Sequence, residues 1–325
     1  MEKVSIVSAD SYDIQIIRAA IGRLLAPLGG IGRFVAPGQR VLVKPNMLSA
    51  KNPDAAVTTH PSLVQAVCEL VTEAGATAFV GDSPGIGSFE KVAGRSGIGR
   101  AALNGGASML PFREVVEVSG GGVFRNLSLS AEFMGADLVI NLPKLKTHEM
   151  MTMTCGVKNL YGAVVGPAKA ALHLTAGRSR AMFAGLLLEI AHARPVAMTI
   201  VDAVVAMEGD GPGSGVPRKA GLLIAGENPV AVDTVAGRLA GIPPELLPVE
   251  LEAQRRGLPG SSMAEICLCG DMSEIPEIRP FLLPSGLDIQ FGIPGFLGDL
   301  LRKQLSPLPE ADMNRCVLCG VCRDA

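Results

Sequence analysis

Three cysteines near the end of the chain repeat at intervals of three residues, in the stretch "CVLCGVC". They are Cys316, Cys319 and Cys322, and Gly320 lies between the second and the third. Thiolates at this spacing can bind one iron–sulfur cluster from a tight loop, because a glycine lets the backbone approach the cluster closely. The spacing therefore predicts a [4Fe–4S] cluster with these three cysteines as metal ligands. A zinc knuckle and an unliganded tail are the alternatives.

The cysteine run also predicts where a further ligand would fall. In bacterial ferredoxins a fourth cysteine follows the third after three intervening residues, and in two-cluster proteins it binds the other cluster. That position lies one residue beyond Ala325, the last residue of the sequence. We therefore expect residues 313–325 to be the truncated start of a ferredoxin-like module, with an incomplete cluster site in this chain.

A second group of chemically useful residues follows short apolar runs along the chain. Its basic members are Lys44, Lys144, Lys146, Lys158, Lys169, His148 and His173. Its acidic and amide members are Asp82, Asp202, Glu208, Asp233, Asn46 and Asn159. Lysine and histidine suit phosphate or carboxylate groups, whereas carboxylates can orient lysines, bind a divalent metal or transfer protons. The group predicts a site for a small anionic substrate or cofactor.

We assign the members of this group to two roles. The catalytic candidates are Lys144, Lys146, His148, His173, Asp82, Asp202 and Glu208. The candidates for binding a cofactor are Lys44, Asn46, Lys158, Asn159, Lys169 and Asp233. Either His148 or His173 would donate a proton, and the acidic residues would orient the lysines or bind a divalent metal. A partly buried lysine crowded by other lysines can have a lowered pKa and act as a base or nucleophile. Any one of these lysines, taken alone, could instead be a solvated surface residue.

These side chains need secondary-structure elements that bring them together. Apolar runs predict strands at residues 3–9, 40–46, 76–82, 136–144, 196–204 and 220–226. Amphipathic patterns predict helices at residues 12–28, 61–75, 178–193 and 229–241. Apolar strands that alternate with helices are typical of an α/β fold with a mostly parallel sheet and helices on both faces. Because ligands bind beyond the carboxyl ends of such strands, the charged residues are expected to share one rim of the sheet.

The composition changes along the chain and predicts its domain organisation. Residues 1–275 are expected to form the α/β domain, with a β-hairpin excursion at 105–130. Residues 276–312 have proline or glycine every few positions, which predicts a linker to the cysteine run.

Charge and hydropathy exclude several classes of protein. The net charge is −2, and no basic segment is interleaved with aromatic residues, which argues against nucleic-acid binding. The start "MEKVSIVSADSYD" lacks the pattern of a signal peptide, and no apolar run reaches the roughly 18 residues of a membrane span. We therefore predict a cytoplasmic protein with no membrane contact. A phosphate-binding G-x-x-x-x-G-K-[ST] loop is absent, and "GDGPGSG" indicates a flexible turn.

Several of these stretches together resemble a known family. They are "VLVKPNML" (41–48), "GDSPG" (81–85), "INLPKLKTH" (140–148), "GVKNLYGAVVG" (156–166) and "AGENPVAVDTVAGRLAGI" (225–242). The sequence resembles the domain-of-unknown-function 362 family, bacterial and archaeal proteins that often carry a ferredoxin-like iron–sulfur module at the C-terminus. The resemblance implies an iron–sulfur-associated protein and no particular reaction.

Three functions are compatible with these patterns. The preferred hypothesis is a redox enzyme that binds a small anion on the rim and receives electrons through the C-terminal cluster, with a redox partner protein. The first alternative is a non-redox enzyme that acts on a phosphorylated or carboxylated metabolite and has a structural cluster. The second is an electron carrier or assembly partner without chemistry of its own.

Overall fold

A computed structural model describes residues 1–121, 124–166, 168–169, 172 and 179–285 of the chain. Its strands are β1 (Glu2–Ser8), β2 (Arg40–Pro45), β3 (Thr77–Val80), β4 (Ser108–Met109), β5 (Val115–Ser119), β6 (Asn126–Ser130), β7 (Leu138–Leu142), β8 (Lys144–His148), β9 (Thr152–Thr154), β10 (Met198–Glu208), β11 (Val216–Gly226) and β12 (Ile266–Gly270). Its helices are α1 (Ile14–Leu25), α2 (Pro61–Glu73), α3 (Phe89–Arg95), α4 (Ile98–Asn104), α5 (Ala131–Met134), α6 (Gly156–Asn159), α7 (Arg180–Ala193), α8 (Pro229–Leu239) and α9 (Pro248–Arg255).

Within these ranges, ten strands form one mixed sheet. The order across it is β12-β1-β11-β10-β7-β2-β3-β4, and β8 pairs with both β10 and β9. Six neighbouring pairs are parallel: β1 with β12, β2 with β3, β2 with β7, β3 with β4, β7 with β10 and β8 with β10. The predicted α/β fold with a mostly parallel sheet is confirmed.

One strand departs from the parallel arrangement in the middle of the sheet. Strand β11 is antiparallel to both β10 and β1. The turn that joins β10 to β11 spans residues 209–215 and contains no helix. A connection this short can join only antiparallel strands, since a parallel pair needs a crossover of a dozen or more residues.

Apolar cores lie on both faces of the sheet because the strand side chains alternate. Val41 and Val43 of β2 pack with helices α1–α4 on one face. Leu42 between them packs on the opposite face with Phe133 of α5 and Phe183 of α7. The same opposite face carries α8, whose Val232 belongs to a core shared with β1. This distribution confirms the helices predicted on both faces.

Helix α1 illustrates how local sequence sets an element that positions the site. The Asp13 side chain accepts hydrogen bonds from the backbone N–H groups of Gln15 and Ile16, which caps the helix start. Ile17, Ala20, Ile21 and Leu24 are buried at helical spacing, so that face packs onto the sheet. Tyr12 therefore lies in the short loop between β1 and α1, at an end of the sheet.

Two further predicted segments lie beside this sheet. Strands β5 and β6 form a separate antiparallel hairpin inside the predicted excursion, with Val115 opposite Ser130. Residues 276–285, the first part of the predicted linker, lie along the domain, and Phe281 is buried there. Residues 286–325, including the three cysteines of the terminal run, lie outside the described residues. Across the part of the chain that is described, no helix is both long and apolar enough to span a membrane.

Candidate functional site

Strand β8 brings three of the candidate residues to one face. Lys144, Lys146 and His148 alternate with Leu145 and Thr147, and side chains two apart in a strand point the same way. Every residue of the strand is buried, and Lys144 and Lys146 are each only 1% exposed. The sequence "KLKTH" therefore places two lysine ammonium groups inside the protein.

Lys144 lies in a closed network with Asp202 and Tyr12. Its Nζ is 2.9 Å from Asp202 Oδ2 and 2.8 Å from the Tyr12 hydroxyl, to which it donates. The hydroxyl in turn donates to Asp202 Oδ1 at 2.6 Å and accepts from the Val205 backbone N–H at 3.0 Å. Burial lowers the pKa of Lys144, and the neighbouring Asp202 opposes that shift. Burial and Asp202 both raise the pKa of Tyr12, so the phenol keeps its proton.

His60 completes this network from the start of α2. Its ring stacks on Tyr12 with centroids 3.5 Å apart, and its backbone N–H donates to Asp202 Oδ2 at 2.8 Å. The His60 Nδ1 accepts from the Ser62 backbone N–H at 3.2 Å, so the ring proton is assigned to Nε2. Burial lowers the pKa of His60 to about 4, which leaves a neutral imidazole at neutral pH.

A second buried ion pair lies at the ends of β2 and β3. Lys44 Nζ is 2.8 Å from Asp82 Oδ1 and donates to the Asn159 carbonyl at 2.7 Å. Asp82 Oδ2 accepts from the Met47 backbone N–H at 3.0 Å. The Oδ1 atom makes an ion pair without the geometry of a hydrogen bond. Lys44 and Asp82 therefore satisfy each other electrostatically in the interior.

A chain of three side-chain amides lies beside Lys44. Asn46 Nδ2 donates to Asn159 Oδ1 at 2.9 Å, and Asn159 Nδ2 donates to Asn141 Oδ1 at 2.8 Å. Asn141 Nδ2 then donates to the Gly156 carbonyl at 2.9 Å. Because each amide is oriented by the next, β2, β7 and α6 are held in one fixed arrangement.

Among the residues that the structure describes, Lys146 has no such carboxylate partner. Its Nζ donates to Asn46 Oδ1 at 3.1 Å and to the Val57 carbonyl at 2.6 Å. Burial lowers the pKa of Lys146 well below its usual value, and Lys158 and Lys144 lower it further. Asp82 acts in the opposite direction but makes no contact with the Lys146 ammonium within ion-pair distance.

Two further lysines lie close to this group. Lys158 on α6 is half-buried and has no hydrogen-bond or ion-pair partner among the described residues. Lys169 donates to the carbonyls of Ser83 and Pro84, and its own carbonyl accepts from the Tyr161 hydroxyl. Burial lowers the pKa of Lys158 to about 8, and the charge of Lys169 contributes to that shift. Burial likewise lowers the pKa of Lys169 to about 8, with Lys44 adding to the effect.

The structure places two of the acidic candidates away from the lysines. Asp233 belongs to α8, and its carboxylate lies at the start of α6. There it accepts hydrogen bonds from the N–H groups of Gly156 at 2.5 Å and Val157 at 3.1 Å. Burial raises the pKa of Asp233 to about 7. Glu208 lies 2.5 Å from Arg279, and it also contacts Arg218 at 3.5 Å. Asp233 therefore positions the helix that carries Lys158, whereas Glu208 joins β10 to residues beyond the sheet.

Of the two histidine candidates, His148 lies in the described part of the chain. The His148 ring is buried, and its Nδ1 accepts from the N–H groups of Met150 at 3.1 Å and Met151 at 3.2 Å. It lies on the lysine face of β8. His173 lies outside the described residues.

The divalent metal predicted on the acidic residues stays a prediction. Asp82 and Asp202 each face a lysine, while Asp233 and Glu208 are held by separate partners. Within the described ranges, no three His, Cys, Asp or Glu side chains come together as metal ligands do. The cluster predicted on the cysteine run concerns residues outside those ranges.

Tyr12, His60 and Asn141 belong to the site and are absent from the sequence-based candidates. The chain contains two tyrosines, Tyr12 and Tyr161, and the hydroxyl groups of both contact residues of the lysine group. Tyr12 lies in the loop after β1, three residues beyond the predicted end of that strand, and no sequence pattern marks it as part of a site. His60 precedes a proline at a helix start, a position that in sequence indicates capping rather than a site.

A family model, a relative in sequence and a solved structure are similar to this chain. A family model described as a domain of unknown function (DUF362) matches residues 41–238, which include all five lysines of the site. The thylakoid-associated protein sll1697 of Synechocystis sp. (strain ATCC 27184 / PCC 6803 / Kazusa) is 39% identical over 305 residues, which cover 91% of this chain and 92% of that protein. The lactate racemase apoprotein of Thermoanaerobacterium thermosaccharolyticum aligns with a TM-score of 0.48 and 12% identity over 74% of this chain, which spans 58% of the length of that structure.

The contact between Gly162 and the Lys44–Asp82 pair gives a first prediction. A Cβ atom at Gly162 would overlap both Asp82 Oδ1 and Lys44 Nζ. Gly162→Ala must therefore push the ion pair apart, and breaking a buried pair costs about 3–5 kcal/mol. We expect a loss of about 3 kcal/mol in the free energy of unfolding, measured by chemical denaturation.

Gly22→Ala is the matched control for that substitution. Gly22 lies in the middle of α1 on its solvent-exposed face, and no atom lies within 4 Å of the position that its Cβ would take. Alanine there should stabilise the protein by about 0.5–1 kcal/mol, as alanine does in helices. Equal stability of the Gly162→Ala variant and the wild type would contradict the close packing against the pair.

The Tyr12 hydroxyl gives a second prediction. Tyr12→Phe keeps the ring stacked on His60 but removes the acceptor of Lys144 and Val205 and the donor to Asp202. Leaving buried polar groups unsatisfied costs about 1–3 kcal/mol, and we expect a loss of that size in the free energy of unfolding. An unchanged unfolding midpoint in urea would show that the network does not depend on this hydroxyl.

Proposed function

This chain belongs to the DUF362 family, and from that premise and the geometry of its lysines we propose that it is an enzyme that binds a small anion. The observation that carries the proposal is an imbalance of charge. Five lysines lie in one hydrogen-bonded and electrostatically coupled group, and their ion pairs within the described residues are with two carboxylates, Asp82 and Asp202. Lys146, Lys158 and Lys169 have no carboxylate partner there.

An anion supplies the counter-charge that these three lysines lack. Removing an ammonium group from water costs several kcal/mol unless an opposite charge or good hydrogen bonds replace the solvent. The pKa of Lys158 and that of Lys169 fall to about 8 because burial favours the neutral amine, and a neighbouring lysine adds to each shift: Lys169 to that of Lys158, and Lys44 to that of Lys169. A bound carboxylate or phosphate would reverse both effects, so the charged lysines bind it and their pKa values rise.

The remainder of the group holds this subsite in place. Asn46 and Asn159 connect β2 to α6, and Asp233 fixes the start of the helix that carries Lys158. Lys44 and Lys144 are already paired with carboxylates, so in this proposal they stabilise the interior rather than contact the anion. The anion therefore lies nearest to Lys158 and Lys169, with Lys146 on its inner side.

For the reaction we propose oxidation or reduction of that anion, with electrons supplied by a [4Fe–4S] cluster on the terminal cysteines. The support is the spacing of Cys316, Cys319 and Cys322 in the sequence. A non-redox reaction on a phosphorylated or carboxylated metabolite uses the same lysines and is the second candidate. Its specific support is the lysine group itself, which suits anion binding whether or not electrons are transferred.

The location and the protein partners of the chain stay proposals as well. We retain a cytoplasmic location and a redox partner protein as working proposals. The relative from Synechocystis is named as thylakoid-associated. A peripheral association of this chain with a membrane is therefore included among the locations to test.

Anion binding should depend on pH in a defined direction. Lys158 and Lys169 bind an anion only when protonated, and the pKa of each is about 8 in the free protein. The affinity for sulfate, whose charge does not change over this range, should fall as pH rises above about 8, by about tenfold per pH unit for each lysine that must take up a proton. Calorimetric titrations in buffers of different ionisation enthalpy measure both the affinity and the proton uptake.

Lys158→Met is the variant that separates this site from general charge effects. It should weaken sulfate binding by at least about tenfold, or about 1.4 kcal/mol, without lowering the free energy of unfolding, because it removes a repulsive charge. Lys91→Met, on the exposed surface of α3, is the control and should bind as the wild type does. Equal affinity in the two variants, or an affinity that does not change with pH, contradicts the proposed site.

The iron–sulfur cluster proposed on the terminal cysteines gives a further prediction. Full-length protein purified without oxygen should contain iron and acid-labile sulfide, and its visible absorbance should bleach on reduction. Cys319→Ser should lower the iron content while leaving sulfate binding unchanged. Protein without iron and acid-labile sulfide would remove the redox proposal and leave the non-redox one.

A further inference from the structure

The hydrogen bonds of Lys146 distinguish it from its neighbours on the same strand. Its Nζ donates to two acceptors, Asn46 Oδ1 at 3.1 Å and the Val57 carbonyl at 2.6 Å. An ammonium group has three N–H donors, whereas a neutral amine has two donors and a lone pair. Within the described residues the two acceptors match both N–H donors of a neutral amine, whereas they leave one donor of an ammonium unsatisfied. The side chain is 1% exposed, so bulk water does not supply a third acceptor.

The charges that face Lys146 act in the same direction. The groups that act on its charge are Lys158 of α6, Lys144 two residues away on β8, and Asp82 at the end of β3. Asp82 is already paired with Lys44 at 2.8 Å. By contrast, Lys144 is only 2.9 Å from its own carboxylate, Asp202, and donates to the Tyr12 hydroxyl as well. The contacts of Lys144 thus suit an ammonium group, whereas those of Lys146 suit a neutral amine.

We propose that Lys146 is an uncharged amine nucleophile, and that the anion bound by this site carries an aldehyde or ketone group with which Lys146 forms an imine. The inference rests on the proposed function, since the lysines without carboxylate partners would hold the anionic end of the substrate. It narrows the substrate class to small carbonyl compounds with a carboxylate or phosphate, such as 2-oxo acids. A neutral, desolvated lysine is the form of this side chain that attacks carbonyl carbons.

The reaction needs no group beyond the substrate and the lysines. The Lys146 lone pair forms a bond to the carbonyl carbon as the C=O π bond breaks, and one Nζ proton moves to the oxygen to give a carbinolamine. The C–O bond then breaks, the leaving hydroxide takes a proton from the Lys158 ammonium and departs as water, and the nitrogen lone pair forms the C=N bond of a protonated imine, which keeps the remaining Nζ proton. With the pKa of Lys158 near 8, that ammonium is a suitable acid at neutral pH. Addition of water reverses each step.

The test traps the imine on the full-length protein. Glyoxylate is the probe, sodium cyanoborohydride reduces any imine to a stable secondary amine, and peptide mass mapping locates the modified lysines at about pH 6.5. Lys51 and Lys219 are exposed internal controls, and ordinary lysines with a pKa of about 10.4 are almost fully protonated there. We expect Lys146 to be modified at least about tenfold faster than either control. Modification of Lys146 no faster than Lys51 and Lys219 overturns the proposal.

Lys146→Met supplies a second and independent readout. In protein with carbon-13 at the lysine Cε positions, the resonance lost in this variant belongs to Lys146, and its chemical shift at about pH 7 reports a neutral amine or an ammonium. The shift of a neutral amine is expected, and that of an ammonium overturns the proposal. Sulfate titration of the same samples separates the two inferences. If sulfate binds but Lys146 is not selectively modified, only the imine is excluded, whereas loss of both excludes the anion site as well.

Discussion

Buried lysine charge is the constraint on which the rest of this structure depends. Lys44, Lys144 and Lys146 lose essentially all contact with solvent, and an ammonium group in the interior is tolerated only with an opposite charge or with hydrogen-bond acceptors. The acceptors come from distant parts of the sequence. Lys144 and Asp202 are separated by 58 residues, and Lys44 and Asn159 by 115. The lysines therefore meet these partners only when distant segments come together in the folded sheet.

The three buried lysines differ in the groups that contact their ammonium or amine nitrogen. Lys44 has a carboxylate and a backbone carbonyl, while Lys144 has a carboxylate whose second oxygen is held by a tyrosine. In the part of the chain that is described, Lys146 has only neutral acceptors, and burial together with nearby lysines lowers its pKa. Lys44 and Lys144 thus face carboxylates, whereas Lys146 does not within the described residues. Buried groups whose pKa values are strongly shifted, such as Lys146, cluster at functional sites.

Much of this arrangement could be predicted from sequence, and the reasons are local. The helices predicted at 61–75 and 229–241 match α2 and α8 to within two residues at each end, because Pro61 and Pro229 begin them and glycines follow them. Alternation in "KLKTH" places Lys144, Lys146 and His148 on one face. The parallel strands then bring Lys44 and Asp82 together at the ends of β2 and β3, as expected.

What could not be predicted depends on contacts between distant segments. Strand β10 runs to Glu208, beyond the predicted end at residue 204, because it pairs antiparallel with β11. The same extension carries Glu208 away from the lysines. The burial of the lysines is equally non-local, since a charged side chain in a sequence indicates exposure until its partners are known. Tyr12 lies in a loop, where no periodicity marks it as part of a network.

Anomalous X-ray diffraction from crystals of the full-length protein grown with selenate tests the anion site most directly. Selenium scatters anomalously, so its position is found without reference to the expected site. A selenium peak whose oxygens lie within about 2.7–3.2 Å of Lys158 Nζ and Lys169 Nζ is the predicted result. Selenate bound elsewhere on the protein, with none between these two lysines, would contradict the assignment of the lysine group as a ligand site.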